Sequence, residues 1–579
     1  RSTPANSSAA SDVYKRQVVD SDVEAGKTYT YEIVEVEAGG RKRSCGTCRV
    51  TVDEPAEGLR AAAGAKRGQA ACGPAYSRAP RPRPAGVLRR TTSRGQPPAR
   101  HARRRRRPWA SGAVKIAVRE DGLYYVAAAQ LAPLLGESPR SIGRLIQRGH
   151  LALTCQGEPV AYLPVQTGAG LFFYGQGFDS IYTDENVYWL EQGLGLLMDE
   201  AGESGAVPPP VPQTFTQTLH AEEDLSPATG LFTDPEADFW LWDYVISGDP
   251  DLGRKSFTVR ADGAALVGEA TLTVHLKGAT DTEAERDHHA RIFLNGTAIG
   301  EARWDGLEAH SVTLSINPAL LRPGANTVTV EGVLDTGAPY SIFYVDSFDL
   351  VYERLYEAVE DCLLCRAEDH GVVTVGGFTQ PQILVLDVTM PRSPSHVVET
   401  AIEEVKGVCR VSFAPLWPDA VYLAVTPEAA KCPSSMVADE PSRLKHRGNR
   451  ADYLVIGPAA LREAAQALAD YRQAQGLATM VVTLEDIYDE FHHGIATPRA
   501  VQAFLDYACG NWRREPKYVV LAGNGTYDYK DNLGHGGNLV PPLLMSTGYG
   551  LLVSDRRFAP HLAIGRLPAN DAAELDALV

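Results

Sequence analysis

The sequence predicts a multidomain chain of mainly-β domains followed by an incomplete α/β domain with a parallel sheet. Its 579 residues correspond to about four domains, since domains run to about 150 residues. Between residues 215 and 355, alternating apolar segments recur at short spacing, which is typical of a β-sandwich. From residue 450 the pattern changes to short apolar strands separated by helices, and this order predicts parallel pairing with helices on the sheet faces.

The first residues indicate a sequencing artefact. Ser7–Gln17 reads SSAASDVYKRQ, which is the translation of a widely used transposase adaptor over eleven consecutive codons. The alternative is a natural polar linker. We expect residues 1–17 to be adaptor-derived and disordered, so the missing signal peptide gives no information about export. Residues 18–54 show strand alternation after a turn at Gly26 and resemble a remnant of a fibronectin type III module.

A basic segment follows. Residues 60–107 contain fourteen Arg and one Lys but no Asp or Glu. The rest of the chain therefore carries a net charge of −31, the −16 of the whole less the +15 of this segment. An acidic bulk argues against nucleic acid as the main partner. We interpret residues 55–112 as a disordered segment translated out of frame; a basic arm for nucleic acid is the alternative.

Residues 113–200 are predicted to form a β-rich domain. A strand, a turn at Asp121–Gly122 and a second strand lead into a stretch dense in aromatic residues and glycine. These aromatics fit a packed β core better than a ligand platform; they are Tyr174, Tyr182, Tyr188 and Trp189. A proline-rich linker at 201–214 ends the domain.

Residues 215–355 are predicted to be a jelly-roll-like sandwich. The pair Asn295–Gly296 suits a type I′ hairpin turn. The region resembles the jelly-roll modules of carbohydrate-binding proteins, in which Trp240 and Trp304 would stack on sugar, although structural packing is the stronger interpretation. Residues 356–449 read as a β connector to the last domain.

Two CxxC pairs occur, Cys45 with Cys48 and Cys362 with Cys365. A zinc site needs four ligands, and the two pairs lie in different segments. Unpaired or locally bridged thiols are therefore expected, with a shared metal site as the alternative.

The block from 450 to 579 alternates strands and helices. The predicted strands contain DYLVIG, LATMVV, KYVVLAG and HLAIGRLP. One helix begins near Pro458 and ends before Gly476, and another has Thr497 as its cap and Pro498 at its first turn. In such sheets the ligand site lies beyond the carboxyl ends of the strands. Residues 524–538 and 566–570 are therefore expected at the functional edge.

This block resembles the gingipain-type cysteine peptidases of family C25, which have a caspase-like fold. The matching stretches are YLVIG, LADYRQAQGL, VVTLEDIYDEFHHGIATPRAVQAFLDYA, PKYVVLAGNGTYDY, VPP, SDRRFA and IGRLP. The stretch containing FDSIYT and NVYWL, and the sandwich, look like regions that often precede this domain. The resemblance implies a Cys/His dyad in which the Cys thiolate attacks the peptide carbonyl.

In the family, the His and Cys follow the IGRLP strand. The resemblance thus implies that both lie downstream of Val579, that residues 450–579 are a partial, C-terminally truncated domain, and that this chain is inactive. Asp528 and Asp555 are candidates to line the cleft, and loop solvation is the alternative for both. Asn524 stands where relatives often carry Asp, which argues against an ion site there.

Other candidates are weaker. His535 in the sequence LGHGGN precedes IGRLP and has no Cys after it, so a Gly-rich surface loop is the better interpretation. Cys509 falls on a helix face. His492 and His493 have no supporting carboxylates for a metal site, and no metal-binding residue is assigned.

The predicted function is that of a secreted, bacterial, extracellular or cell-surface cysteine endopeptidase acting on protein or peptide substrates. Two alternatives stay open: a surface protein binding glycan or protein through its sandwich, with a degenerate peptidase-like domain, and a sortase-like transpeptidase of a bacterial secretion system. The chemistry requires no cofactor, and a structural calcium ion is left open without a position. No run of 18 apolar residues occurs, so no membrane span is expected.

Overall fold

The computed structural model describes residues 28–36, 42–51, 112–202 and 213–579, and of the first two ranges only the backbone. The predictions for residues 1–17, and for nearly all of 55–112 and of the linker 201–214, lie outside the described residues. The chain divides into two units, Arg1–Arg105 and Arg106–Val579.

The described part of the first unit is an antiparallel hairpin. Strand β1 (Thr28–Val36) pairs with β2 (Lys42–Thr51), with an irregularity between Ile33 and Val34. The residues with alternating polarity after Gly26 therefore do form strands. Cys45 and Cys48 lie on β2, and their side chains are outside the described residues. The fibronectin resemblance stays a prediction.

The second unit begins with a β-rich domain that also holds two short helices, α1 (Ala128–Leu134) and α2 (Pro139–Gln147). Its strands are β3 (Val114–Val118), β4 (Gly122–Ala127), β5 (Leu151–Cys155), β6 (Glu158–Pro159), β7 (Ala161–Pro164), β8 (Gly170–Gly175), β9 (Asn186–Gln192), β10 (Leu196–Leu197) and β11 (Asp199–Ala201). One sheet has the order β10-β7-β8-β4. The buried faces of both helices pack with the strands in one apolar core.

A β-sandwich follows. Its strands are β12 (Thr214–Glu222), β13 (Ser226–Pro227), β14 (Trp240–Leu241), β15 (Asp243–Ile246), β16 (Arg254–Ala261), β17 (Ala270–Gly278), β18 (His288–Leu294), β19 (Thr297–Trp304), β20 (Ala309–Ile316), β21 (Gly324–Gly332) and β22 (Ile342–Leu355). The order β12-β22-β17-β20, with β15 also on β22, faces the order β16-β21-β18-β19 across one core. The predicted hairpin turn is confirmed, because Asn295 and Gly296 have φ of +50° and +86° between β18 and β19.

Residues 356–449 form strands that complete neighbouring sheets. These are β23 (Cys362–Arg366), β24 (Val373–Phe378), β25 (Leu384–Asp387), β26 (Ser395–Val397), β27 (Ala401–Val405), β28 (Val408–Phe413), β29 (Val421–Val425) and β30 (Ser435–Ala438). Strand β30 joins β3 in the order β30-β3-β9-β5-β6, and β26 pairs with β11. Residues 113–200 and 356–449 thus share two sheets. From the sequence alone, these two segments were expected to be separate regions of the chain.

The last domain is a four-stranded parallel sheet with helices. Its elements are β31 (Tyr453–Gly457), α3 (Arg462–Ala474), β32 (Thr479–Thr483), α4 (Leu484–His492), α5 (Pro498–Asn511), β33 (Tyr518–Ala522), β34 (Leu544–Thr547), β35 (Gly550–Val553), β36 (Ala563–Leu567) and α6 (Ala572–Leu578). The order is β32-β31-β33-β36, and every pair is parallel. The sheet separates two apolar clusters, one on each face. The predicted fold class, mainly-β domains before a caspase-like α/β domain, is confirmed.

Candidate functional site

The carboxyl edge of the parallel sheet carries a small cavity of about 210 Å³. It lies where the chain leaves β31 and β32, beside the start of α5 and the loop that follows β33. The residues that line it include Pro458, Leu484, Glu485, Thr497, Pro498, Tyr529, Asn538 and Leu539, with Tyr182 contributed by the first β-rich domain. The loop after β33 therefore reaches the carboxyl edge of the sheet, as expected from the sequence.

Two helices begin at this edge. The Thr483 hydroxyl accepts a hydrogen bond from the Asp486 backbone N–H at the start of α4 (3.2 Å), and Thr497 does the same for Arg499 at the start of α5 (3.2 Å). The Glu485 carboxylate accepts the Ala459 N–H after β31 (3.0 and 3.2 Å). Helix N-termini present partial positive charge, and the Glu485 and Asp486 carboxylates in the first turn of α4 lie close to it.

Asp528 lies in the loop after β33 and is 5% exposed. Its two carboxylate oxygens accept the backbone N–H groups of Asn532 (2.8 Å) and Leu533 (2.9 Å). These bonds fix the turn that follows and take up one acceptor site on each carboxylate oxygen. A role for Asp528 in lining the cleft stays a prediction.

Asp555 forms a two-pronged ion pair with Arg566 of β36. The Arg566 Nε and Nη2 atoms donate to the Asp555 carboxylate at 2.9 and 2.6 Å. Its remaining terminal nitrogen, Nη1, donates to the backbone carbonyls of Gly523 (2.9 Å) and Val540 (2.7 Å). One guanidinium therefore joins the SDRRFA and IGRLP motifs to the end of β33, and it orders the edge rather than reaching into the cavity.

Asn524 has a similar linking role. Its backbone N–H donates to Ala569 (2.9 Å), its carbonyl accepts the Val540 N–H (2.8 Å), and its side-chain amide donates to Asn570 (3.2 Å). The loop residues after β33 and those after β36 are thereby held side by side, as the sequence predicted for these two segments.

The other sequence candidates do not converge on the cavity. His535 is exposed and stands between Gly534 and Gly536, both with positive φ (+67° and +64°), which agrees with a Gly-rich surface loop. Cys509 lies on α5, and burial raises the pKa of its thiol to about 11, which favours the protonated thiol at neutral pH.

Burial also lowers the pKa of His492 and His493. The His492 Nδ1 atom is buried without a hydrogen-bond partner, and the His493 carbonyl accepts the Trp189 indole N–H at 2.7 Å. Within the described residues, neither histidine belongs to a group of three ligating side chains.

Cys362 and Cys365 are both free, and they belong to different apolar clusters on the two sides of β23. Burial raises the pKa of both thiols, that of Cys365 to about 12. This sequence pair therefore forms neither a local disulfide nor a two-thiolate clamp.

An acidic cluster that sequence reasoning missed lies beside the loop after β33. Carboxylate oxygens of Glu222, Asp224 and Asp238 lie within 4.8 Å of one another. Lys530 from that loop approaches the cluster, with its Nζ atom 3.4 Å from Asp224 and 2.7 Å from Asp179. Among the described residues this is the one group with carboxylates close enough to share a divalent cation, but acidic clusters commonly exist without one, and we assign no ion to it.

No sequence motif marks this cluster, because Asp238 lies fourteen positions after Asp224 and only the fold brings the two close together.

The aromatic residues of the sandwich are packed rather than displayed. Trp240 is 1% exposed and Trp304 is 5% exposed. The indole of Trp304 lies between His288 and His310, with ring centroids 4.8 and 5.3 Å away. The packing interpretation of both tryptophans is confirmed, and neither offers a face to a sugar ring in this conformation.

These features define a β-rich, multidomain protein whose last domain has the caspase-like arrangement of a parallel sheet with loops converging on its carboxyl edge. Residues 446–579 match the model of peptidase family C25, which confirms the resemblance noted in the sequence. The C-terminal domain of this chain is thus a C25-family domain. A search of the curated proteins found no match.

Solved structures agree with this fold. The crystal structure of dimeric latent PorU from Porphyromonas gingivalis superposes with a TM-score of 0.56 at 16% identity, covering 81% of this chain and 49% of that chain. The present chain therefore spans about half the length of that PorU chain.

Smaller similarities include the CBM36-1 domain of a multidomain xylanase from the hindgut metagenome of Trinervitermes trinervoides (16% identity, 23% of this chain, 96% of that chain, TM-score 0.17). Carbohydrate-binding module CBM36 in complex with calcium and xylotriose is also similar (16% identity, 19% of this chain, 81% of that chain, TM-score 0.14).

Proposed function

We propose that the chain is part of an exported bacterial cysteine endopeptidase of the C25 type, which hydrolyses peptide bonds in protein or peptide substrates. The observation that carries the proposal is the parallel sheet β32-β31-β33-β36 inside the segment that matches family C25. Export rests on the resemblance of the upstream modules to those of secreted proteins. Within the described residues, no helix has the length and apolar character needed to cross a membrane.

The nucleophile and its base are proposed to come from sequence that follows Val579 in the longer protein. Two observations support this placement. Burial, with the nearby carboxylates of Glu515 and Asp506, raises the pKa of Cys509, the one cysteine in residues 450–579, which disfavours the thiolate there. His535 is exposed on a glycine loop, with no cysteine following it in the printed sequence.

The test compares two proteins, the present chain and one extended by its natural downstream sequence. Both are incubated with a mixture of fluorogenic peptides, with and without a thiol-alkylating reagent. We expect hydrolysis by the extended protein alone and its loss after alkylation. Thiol-dependent hydrolysis by the present chain would contradict the proposed position of the dyad.

Transpeptidation is a second outcome of the same chemistry. The acyl-enzyme is released by water in a hydrolase and by an amine in a transpeptidase. Adding a small amine acceptor to the extended protein and identifying the products by mass spectrometry separates the two. Free carboxylic acid as the dominant product supports the endopeptidase, and an amide product supports the transpeptidase.

A further inference from the structure

The connection between β8 and β9, Gln176–Glu185, contains the FDSIYT stretch that the peptidase chemistry does not use; it is called the strap below. Both of its ends are tied to their own domain. The Asp121 carboxylate accepts the Gly177 N–H (2.7 Å), and Arg119 pairs with Glu185 (3.0 Å). The Ser180 hydroxyl accepts the backbone N–H groups of Tyr182 and Thr183 (3.2 Å each), which fixes a turn at the centre.

Three apolar side chains of the strap pack on the C25 domain. Phe178 packs in a cluster with Ile495, which lies in the connection between α4 and α5. Ile181, 8% exposed, packs in a cluster with Leu544 and Leu551 of the β34–β35 hairpin. Consecutive parts of one short segment therefore contact separate parts of the C25 domain.

The third apolar contact is at the cavity itself. The Tyr182 ring lines the cavity and meets Tyr529 edge-on, with ring centroids 4.8 Å apart. The Tyr182 hydroxyl donates to Glu236 of the sandwich (2.9 Å), and Glu236 also pairs with Arg499 at the start of α5. Tyr182 is thus held by the sandwich and by the C25 domain together.

An ion pair adds to these contacts. Asp179 of the strap binds the Nζ atom of Lys530 at 2.7 Å, and the Lys530 side chain is only 15% exposed. An ammonium group with so little solvent depends on its carboxylate partners. Asp179 of the strap, whose side chain is 74% exposed, and Asp224 of the sandwich, which is 20% exposed, both pair with the Lys530 ammonium group.

From these contacts we propose that the strap is a closure element: it covers the cavity at the carboxyl edge with Tyr182 and clamps the loop after β33 through Asp179 and Lys530. Release of the strap opens the cavity and frees residues 524–541 at the same time. The strap makes these contacts whether or not the chain is a peptidase.

The test uses hydrogen–deuterium exchange of the 579-residue chain and two variants, Tyr182→Ala and Asp179→Asn. We expect amides of residues 524–541 to exchange at least about tenfold faster in Tyr182→Ala, the factor that corresponds to a loss of about 1.4 kcal/mol. Asp179→Asn, which keeps the size of the side chain, is expected to accelerate the same amides less.

The matched control is Asp184→Asn. Asp184 is in the same strap but faces Arg119 of its own domain (3.7 Å), so we expect it to leave residues 524–541 unchanged. Unaltered exchange in β31 of the C25 domain and in β5 of the first β-rich domain shows that both domains are folded in each variant. Equal acceleration of the loop by Asp184→Asn and Asp179→Asn, or none in Tyr182→Ala, overturns the proposal. Neither result depends on peptidase activity, so failure of the closure element is distinguishable from failure of the proposed function.

Discussion

Replacing Arg566 with Met is predicted to destabilise the C25 domain selectively. The substitution keeps much of the aliphatic stem but removes two hydrogen bonds to Asp555 and two to backbone carbonyls. Breaking a buried ion pair by deleting one partner costs about 3–5 kcal/mol. The side chains of Arg566 and Asp555 are 14% and 26% exposed, so water compensates part of the loss, and we expect about 2–4 kcal/mol.

The assay is hydrogen–deuterium exchange of strands β33 and β36, together with urea unfolding. We expect both strands to lose protection while the sandwich strands keep theirs. The control is Arg556→Met, next to Asp555 in the SDRRFA motif, because the Arg556 side chain is exposed. Arg566→Lys keeps the charge but not the planar fork, so it should fall between the wild type and Arg566→Met. Equal protection in Arg566→Met and Arg556→Met would refute the reasoning.

Three further predictions concern other parts of the chain. A hydrogen bond to Glu222 raises the pKa of His220 to about 9; a second hydrogen bond, to Asp349, also raises it, and burial acts in the opposite direction. The protonated histidine therefore stabilises the folded protein fully below pH 6.5, and this stabilisation is lost as pH rises through 9. His220→Gln should therefore lower the unfolding free energy at pH 6 but not at pH 10, and equal losses at both would contradict this. Trp240→Ala should cost about 3–5 kcal/mol, because the side chain is buried; loss of binding on a glycan array with unchanged stability would instead support display of the ring. Alkylation followed by mass spectrometry at pH 7 should label exposed Cys432 well before the half-buried Cys509, whose pKa is about 11; the reverse order would be inconsistent with the raised pKa of the Cys509 thiol.

The sequence predicts the C-terminal domain well because its local signals agree with one another. The buried run YLVIG, the Thr497 cap with Pro498 after it, and Gly476 at φ +91° beyond α3 all indicate the elements that form. The type I′ turn at Asn295–Gly296 is equally local. In each case the information lies within a few residues of the element.

Contacts between distant segments have no such signal. The pairing of β30 with β3 joins residues about 320 apart in the sequence, and neither strand indicates its partner. The ion pair of Lys530 with Asp179 is of the same kind. Helix α1 escapes prediction for another reason, since Pro133 inside it indicates a break rather than a helix.

At the candidate site, the sequence predicts which loops reach the carboxyl edge of the sheet, but it does not predict the contacts of their side chains. Asp528 lies in the segment 524–538 that was expected at the carboxyl edge, and Asp555, outside both expected segments, pairs with Arg566 of the other one. The contacts that the two carboxylates make, with Asn532 and Leu533 for Asp528 and with Arg566 for Asp555, were not predicted. Tyr182 belongs to an aromatic group predicted as core, and it is the member of that group that lines the cavity. Which partner a polar or aromatic group meets depends on tertiary packing, and one sequence does not specify it.

The most direct test of the proposed function is active-site labelling of the extended protein. An alkylating reagent applied at pH 6 reacts with an activated thiolate and spares thiols of ordinary or raised pKa. We predict that one cysteine beyond Val579 is labelled and that peptide hydrolysis is lost in step. Loss of hydrolysis with the label on Cys509 or Cys432, or hydrolysis that survives complete labelling, would contradict a downstream cysteine nucleophile.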